Sequence, residues 1–551
     1  MVTMDRFSIK DRAELSRKAV GTHFDLIVIG GGITGAGIVL DAASRGMKVL
    51  LIEKLDFASG TSSKSTKLIH GGLRYLKQLE IGLVRETGTE RAIVHNIAPH
   101  LVHPEKMLLP IFKNGSFSKW SASLAISVYD FLAGVKPKDR KRSLNKSKAI
   151  EAEPLLDASM LKSAIEYSEY RTDDARLCFE NLNKAQRLGA VVMNYCEVKD
   201  LIYTHGKISG VKAYDAVLEC EVAFHSSYVV SAAGPWVDKI RSMDHVIKGK
   251  HLRLTKGIHL VFDHEKLPVQ QSVYFDDFDK GRMLFAIPRQ GVTYVGTTDT
   301  DYKGDMDRVV CTDEDVSYVL DAVNRVFNVD TLEEEDVISS WAGLRPLIAE
   351  EGKAASEVSR KDEIFVSDSG LISIAGGKLT GYRKMAEKMV DLIDDIDADI
   401  DMQDCQTKSL KLTEDAFRDY KEVLDYTHAM HKRFEEEGLT SLMAKYLVST
   451  YGKLSKQLLN SAVALASKWP DDEWDKRLLR SEIIHCVEYE SCWQAADFFD
   501  RRTGMLYFDP HRLNKNFDFI LDQFKEAFGW SEALYEKYFA LAKQYKDDYI
   551  F

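Results

Sequence analysis

An α/β fold, α+β overall, that opens with a Rossmann-like strand–turn–helix unit and closes with an all-α domain is expected from three features of the sequence. A continuous apolar run, Leu26 to Ile29, is followed by glycines at G-x-G-x-x-G spacing. Two further apolar runs, Tyr228 to Ala233 and Leu371 to Ala375, also end in glycine. Beyond an Asp-rich stretch, Asp394 to Asp404, the pattern turns helical to the end. The 551 residues suffice for about two to four domains with a large core.

The composition narrows the function classes. Hydrophobic residues make up 45% and charged residues 29%, which excludes global disorder. Lys and Arg number 74 against 85 Asp and Glu, a formal net charge of −11. Such a chain is not expected to bind nucleic acid over a broad face, so an anionic ligand must meet a local cluster of cations. The seven cysteines are odd in number and form no C-x-x-C pair. They read as mostly buried thiols in a reducing compartment, with neither a disulfide framework nor a metal site. No apolar run of 18 residues appears, so no transmembrane helix is expected. The amino-terminal segment carries Asp5, Arg6, Lys10, Asp11, Arg12, Glu14, Arg17 and Lys18 and lacks an apolar stretch. It is neither a secretory signal nor a transit peptide. It reads as an amphipathic helix, packed on the protein or lying on a membrane surface.

Each element of the opening unit has a physical reason. An apolar run buried on both faces suits a central parallel strand. Gly30, Gly32 and Gly35 respectively allow a tight turn, let a pyrophosphate approach the backbone, and let the helix pack close to the strand. The helix is expected from about Ile33 to Arg45, ending at Gly46; its amino terminus offers free N–H groups to phosphate. A second strand, Lys48 to Ile52, ends in Glu53, 18 residues after Gly35, in range of a ribose hydroxyl. An acid there disfavours a 2′-phosphate, so NADP is set aside and FAD or NAD remains. The later strand before Gly376-Gly377-Lys378-Leu379-Thr380 adds a second strand–glycine–helix unit. Two such units at opposite ends of a long domain suit FAD, whose pyrophosphate and ring need separate sites.

The segment from Asp56 to Glu86 reads DFASGTSSKSTKLIHGGLRYLKQLEIGLVRE. It resembles the signature of FAD-dependent glycerol-3-phosphate dehydrogenases nearly word for word. KGIH (Lys256 to His259), GTTDTDY (Gly296 to Tyr302), WAGLRPL (Trp341 to Leu347), AGGKLTGYRKMAE (Ala375 to Glu387) and DFFDRRTGM (Asp497 to Met505) resemble the same family. The resemblance spans nearly the whole chain. It implies an FAD-binding domain of the glutathione-reductase/D-amino-acid-oxidase type and oxidation of sn-glycerol 3-phosphate to dihydroxyacetone phosphate, with electrons passing to a membrane quinone. It further implies a cytoplasmic protein held peripherally on the inner face of the cell membrane; a homodimer is one assembly compatible with it.

Cofactor contacts follow from the resemblance. FAD is expected against Gly30, Gly32, Ile33, Thr34 and Gly35; Glu53 and Lys54; Thr61, Ser62, Ser63, Lys67, Leu68, His70 and Gly71; Val198; Ala233, Gly234 and Trp236; and Gly343, Arg345, Gly377, Lys378, Leu379 and Thr380. The substrate phosphate would be gripped by Arg74 and Lys378 with help from His70, and Tyr75 and Arg360 are further candidates. Arg345 would sit nearer the reacting carbon. An Arg base is disfavoured because its pKa exceeds about 12, which leaves His259 as the preferred general base. His70 or a water are the alternatives.

The FAD domain is expected to be discontinuous, over 20–95, 165–245 and 340–395. A substrate or cap domain would take 96–164 and 246–339, and a helical domain 405–551. The apolar segment from Trp120 to Gly134 reads as a buried helix or as a membrane-facing surface for quinone. Helices are expected from Thr413 to Gly438 and from Leu479 to Phe499. Rival readings are a glycerol-3-phosphate oxidase, an amino-acid oxidase of the same fold, and a non-catalytic flavin-binding protein.

Overall fold

The computed structural model describes residues 6–70, 81–116, 123, 126–128, 140–244, 249–278, 281–349, 362–397 and 400–551. Two sheets carry the architecture. In the first, the parallel strands Leu371–Ala375, Cys220–Ser231, His23–Ile29, Val49–Ile52 and Val191–Met193 lie side by side. Glu363–Val366 adds an antiparallel edge, and a meander of Cys196–Thr204 and Lys207–Asp215 returns to Cys220–Ser231. The apolar run of the first strand is covered on both sides. Leu26 and Val28 pack with the helices Ile33–Ser44, Asp174–Arg187 and Tyr382–Ile396, while Ile27 and Ile29 pack under the meander.

The second sheet has ten strands. Its longest pairing joins His251–Asp263 to Val337–Ala349, antiparallel, with Thr255 opposite Arg345, Gly257 opposite Gly343 and His259 opposite Trp341. Side chains alternate along a strand, so these six positions share one face. The other face buries Ile258, Leu260, Phe262 and Ala342 against Val316, Val319 and Val323 of the helix Asp313–Val326. Two strands cross the sequence-based domain limits: Leu161–Arg171 straddles residue 165, and Val337–Ala349 straddles residue 340. Both belong to the second sheet, because the WAGLRPL segment completes its hydrogen bonds along the KGIHLVF strand.

The carboxyl-terminal part is helical, with two departures from the sequence pattern. Its first long helix is Tyr420–Glu436, capped by Asp419, whose carboxylate accepts from the Glu422 N–H; the polar residues from Thr413 form turns instead. The expected helix from Leu479 to Phe499 is two pieces. Trp474–Tyr489 ends where Ser491 adopts a positive φ of 49°, and Ala495–Asp497 leads into a π-helical turn, Phe498–Arg502. The amino-terminal helix, Arg12–Val20, is packed on the protein with Arg12, Ser16 and Ala19 buried. Arg12 donates to the Asn194 carbonyl at 2.6 Å and side chain at 2.8 Å. The 120–134 segment lies largely outside the described residues. Among the described residues no helix is long and apolar enough to cross a membrane.

A buried ionic cluster joins the helices to the first sheet. Both Asp56 oxygens accept from Arg502, at 2.6 and 3.0 Å, and one accepts from Arg501 at 2.8 Å. Arg501 also donates to Asp497 and Asp500, each at 2.7 Å. Asp56, Asp497, Asp500, Arg501 and Arg502 are all 5% exposed or less. Burial would raise the Asp56 pKa, but Arg502 and Arg501 hold it below the usual carboxylate range. Replacing Asp56 with Ala would leave the buried Arg502 guanidinium without its hydrogen-bonded carboxylate and take one of three from Arg501. The expected cost is about 3–5 kcal/mol, read as a lowered unfolding temperature and protease sensitivity at the seam; unchanged stability would refute the clamp.

Candidate functional site

The site is a cleft of two connected chambers between the two sheets. The inner chamber, of about 240 Å³, lies at the carboxyl ends of the first sheet's strands, where doubly wound folds bind nucleotides. The larger one, of about 510 Å³, faces the second sheet. Thr61, Ser65, Pro346, Gly377, Lys378 and Leu379 line both.

The inner chamber is built on missing side chains. Gly30 has φ +111°, and a Cβ there would stand 2.7 Å from the Ala232 carbonyl oxygen. A Cβ on Gly35 would fall 1.9 Å from the Gly30 oxygen, so that glycine sets the helix on the strand and does not itself line the cleft. Gly32 faces Ser62, whose hydroxyl accepts from the Ile33 N–H at 2.9 Å. Glu53 accepts from the Gly31 N–H at 2.7 Å and the Leu55 N–H at 2.9 Å, so it ties the glycine turn to the second strand. Burial raises its pKa. Ile33, Thr34, Lys54, Val198, Ala233, Gly234 and Trp236 complete this chamber. Trp236 Nε1 is a buried donor with no hydrogen-bond partner among the described residues. A long cleft with a glycine-lined helix entry, a ribose-reaching acid and an open donor fits FAD.

The larger chamber takes its floor from the shared face of the second sheet. His259 and Arg345 flank a clearing made by Gly257 and Gly343. A Cβ on Gly257 would stand 2.3 Å from Arg345 Nη2, and one on Gly343 would stand 2.6 Å from Lys64 Cβ. Arg345 donates to the Thr298 carbonyl at 2.9 Å, to Thr297 Oγ1 at 2.8 Å and to Asp299 at 3.3 Å. His259 stacks on Trp341, with ring centroids 4.6 Å apart and 14° between planes. Burial, then Arg345 and Lys67, hold its pKa well below the usual histidine value, so the ring is neutral. Leu68, His70, Leu379 and Thr380 also line this chamber, and Thr380 Oγ1 donates to the His70 carbonyl at 3.1 Å.

The structure therefore brings most of the expected residues to one cleft; among the described ones it leaves out Gly35, Ser63 and Lys67. Lys67 is buried and turned inward, donating to Asp174 at 2.6 Å and to the Ser63 carbonyl at 2.9 Å; neither Lys67 nor Ser63 lines a chamber. The Asp174 carboxylate, sequestered at the start of a buried helix, outcompetes any ligand for that ammonium. Gly71, Arg74, Tyr75 and Arg360 lie outside the described residues. The sequence pattern passed over Lys64, Thr66, Thr297 and Thr298, which line the larger chamber. The signal available was the density of hydroxyl residues in SSKST and GTTDTDY.

Comparison with known proteins defines the class. Residues 25–383 match the family model described as FAD dependent oxidoreductase, and the chain belongs to that family. Residues 405–535 match the C-terminal domain of alpha-glycerophosphate oxidase. More particularly, the chain is 47% identical over 540 residues to an aerobic glycerol-3-phosphate dehydrogenase of Bacillus subtilis (strain 168), covering 97% of this chain and 96% of the relative. A Staphylococcus epidermidis protein of the same name is 43% identical over 531 residues, 96% and 95% of the two chains. The solved glycerol-3-phosphate dehydrogenase from Bacillus halodurans complexed with FAD matches with a TM-score of 0.83 and 39% identity over 98% of each chain. The L-alpha-glycerophosphate oxidase from Mycoplasma pneumoniae, 16% identical with a TM-score of 0.56 over 68% of this chain and 95% of its own, shares the fold. FAD is the cofactor of this chain.

Gly257→Ala tests the clearing. Its methyl would displace the Arg345 guanidinium by about 1 Å, enough to lower kcat/KM about 10²-fold while FAD content stays unchanged. Full activity in this variant would show that Arg345 is not held where it matters.

Proposed function

We propose that this protein oxidises sn-glycerol 3-phosphate to dihydroxyacetone phosphate. The observation that carries the reading is a neutral, buried imidazole and a guanidinium on one sheet face, either side of a glycine clearing, in a chamber open to the dinucleotide site. Bound FAD supplies the hydride acceptor, and the protein's residues bind, orient and deprotonate.

Lys378 and His70 hold the phosphate. Lys378 follows two glycines at φ +76° and +78° and lines both chambers, so its ammonium stands where the nucleotide and substrate regions meet. Arg345, oriented by Thr297, Thr298 and Asp299, stabilises negative charge on the carbinol oxygen. His259 accepts the hydroxyl proton, since a ring kept neutral by burial is in its basic form throughout the physiological range. Electrons then pass to a membrane quinone, with the protein peripheral on the inner face of the cell membrane. What supports this route is the apolar cleft wall where Tyr274 and Phe285 stack with centroids 4.4 Å apart beside Met283.

Adding glycerol 3-phosphate without oxygen should bleach the flavin absorbance of the holoenzyme, and amino acids should not; no bleaching would overturn the substrate assignment. At saturating substrate the reduction rate should stay level from about pH 8 to 6.5 and fall only in more acidic solution, because the base loses function when protonated and its pKa lies below about 6.5. His259→Ala should lower this rate about 10²–10⁴-fold. A rate already falling above pH 6.5, or unaffected by the substitution, would remove His259 as the base.

A further inference from the structure

His259 is only 1% exposed. Its Nε2 lies 3.0 Å from Thr66 Oγ1, and its Nδ1 is buried with no hydrogen-bond partner among the described residues. Thr66 is half-buried and lines the same chamber. The Thr66 hydroxyl is the imidazole's one hydrogen-bond partner among the described residues.

The backbone that carries that hydroxyl is held on both sides. The Thr66 carbonyl accepts from Tyr294 Oη at 3.1 Å, and the Ser65 carbonyl accepts from Trp341 Nε1 at 3.1 Å. The Ser65 N–H and hydroxyl both donate to Asp174, at 3.1 and 2.6 Å. Tyr294 and Trp341 are also the walls of His259: Trp341 stacks on it, and Tyr294 meets it edge-on at 6.2 Å. The same two aromatic side chains thus hold both the ring and the backbone from which the hydroxyl projects. Behind the ring, a Cβ on Gly296 would stand 2.3 Å from His259 Cδ2, so the imidazole fills its slot.

We propose that the Thr66 hydroxyl relays the carbinol proton of the substrate to His259 Nε2, an inference that rests on the substrate reading above. As the hydride leaves the carbinol carbon for bound FAD, the substrate O–H bond breaks and a new O–H bond forms at Thr66 Oγ1. The hydroxyl's own proton moves to Nε2. The carbon becomes the ketone, the hydride carries both electrons, and the imidazolium holds the proton. A hydroxyl can accept one hydrogen bond while donating another, and a ring with its hydrogen on Nδ1 accepts at Nε2.

The test compares Thr66→Val, which removes the hydroxyl at nearly constant shape, with Thr66→Ser, which keeps it. Two quantities are measured on each holoenzyme: flavin reduction by glycerol 3-phosphate in anaerobic stopped flow, and dihydroxyacetone phosphate binding by calorimetry. The valine variant should reduce its flavin about 10²-fold more slowly with product affinity within about twofold of the parent, and the serine variant should recover to within a few-fold. A valine variant as fast as the parent would overturn the relay and leave His259 in direct contact with substrate. Equal losses in both variants, with product binding weakened in each, would also overturn it and reduce Thr66 to a packing residue. Failure of the unsubstituted protein to be reduced would take the substrate assignment and the relay down together.

Discussion

Asp56 sits between two arginines from the far end of the chain, in an interior where none of the three can be left alone. An unpaired buried charge is far costlier than the pair is favourable, so the carboxyl-terminal helices have one acceptable seat on the sheet. Asp56 lies three residues beyond Glu53, the acid of the nucleotide chamber. From Arg501 the network runs through Asp500 to Lys64 at 3.4 Å, and Lys64 lines the larger chamber. A second strap is Arg176, which holds both oxygens of Glu490 at 2.7 and 2.9 Å. The helical domain, remote in sequence from the cleft, thereby fixes the segment on which Thr61 to Lys67 is carried.

Within that frame the site depends as much on absent atoms as on present ones. Glycines at 30, 257, 296 and 343 keep Cβ atoms out of places already taken by backbone, imidazole, guanidinium or a neighbouring chain. The same economy governs charge. The chain carries a net −11, which opposes a phosphate-bearing ligand. Lys64 and Lys67 direct their ammonium groups to Asp500 and Asp174 inside the protein, whereas Arg345 and Lys378 line the cleft.

Much of this was legible in the sequence, where a rule of local geometry was at work. The strand ending at Ile29, the helix from Ile33 and the strand Leu371–Ala375 follow from apolar runs punctuated by glycine, whereas the wider set of nucleotide-chamber residues came from the family resemblance. His259 and Arg345 were legible as chemistry, but their shared sheet face depends on a long antiparallel register that no local pattern specifies. Lys67 could not be assigned from its neighbours, because its partner Asp174 is remote in sequence. The break after Tyr489 was hidden for the same reason: helical periodicity continues through it, and the turn is imposed by Glu490 reaching Arg176 and by the π-helical turn that presents Arg501 and Arg502.

The order of strands in the first sheet has a consequence for how the molecule comes into being. The strand ending at Ile29 has a near parallel neighbour, Val49–Ile52, on one side and on the other a strand ending at Ser231, which in turn awaits a partner ending at Ala375. On a ribosome the opening motif and Val49–Ile52 emerge long before the strand that closes their other side, and the clamp arginines emerge later still. Closing such distant loops is entropically slow, and the unpaired strand edges stay open meanwhile. The nucleotide chamber is lined by residues from Ile29 to Met385, so its walls are complete only after about two-thirds of the chain has been made.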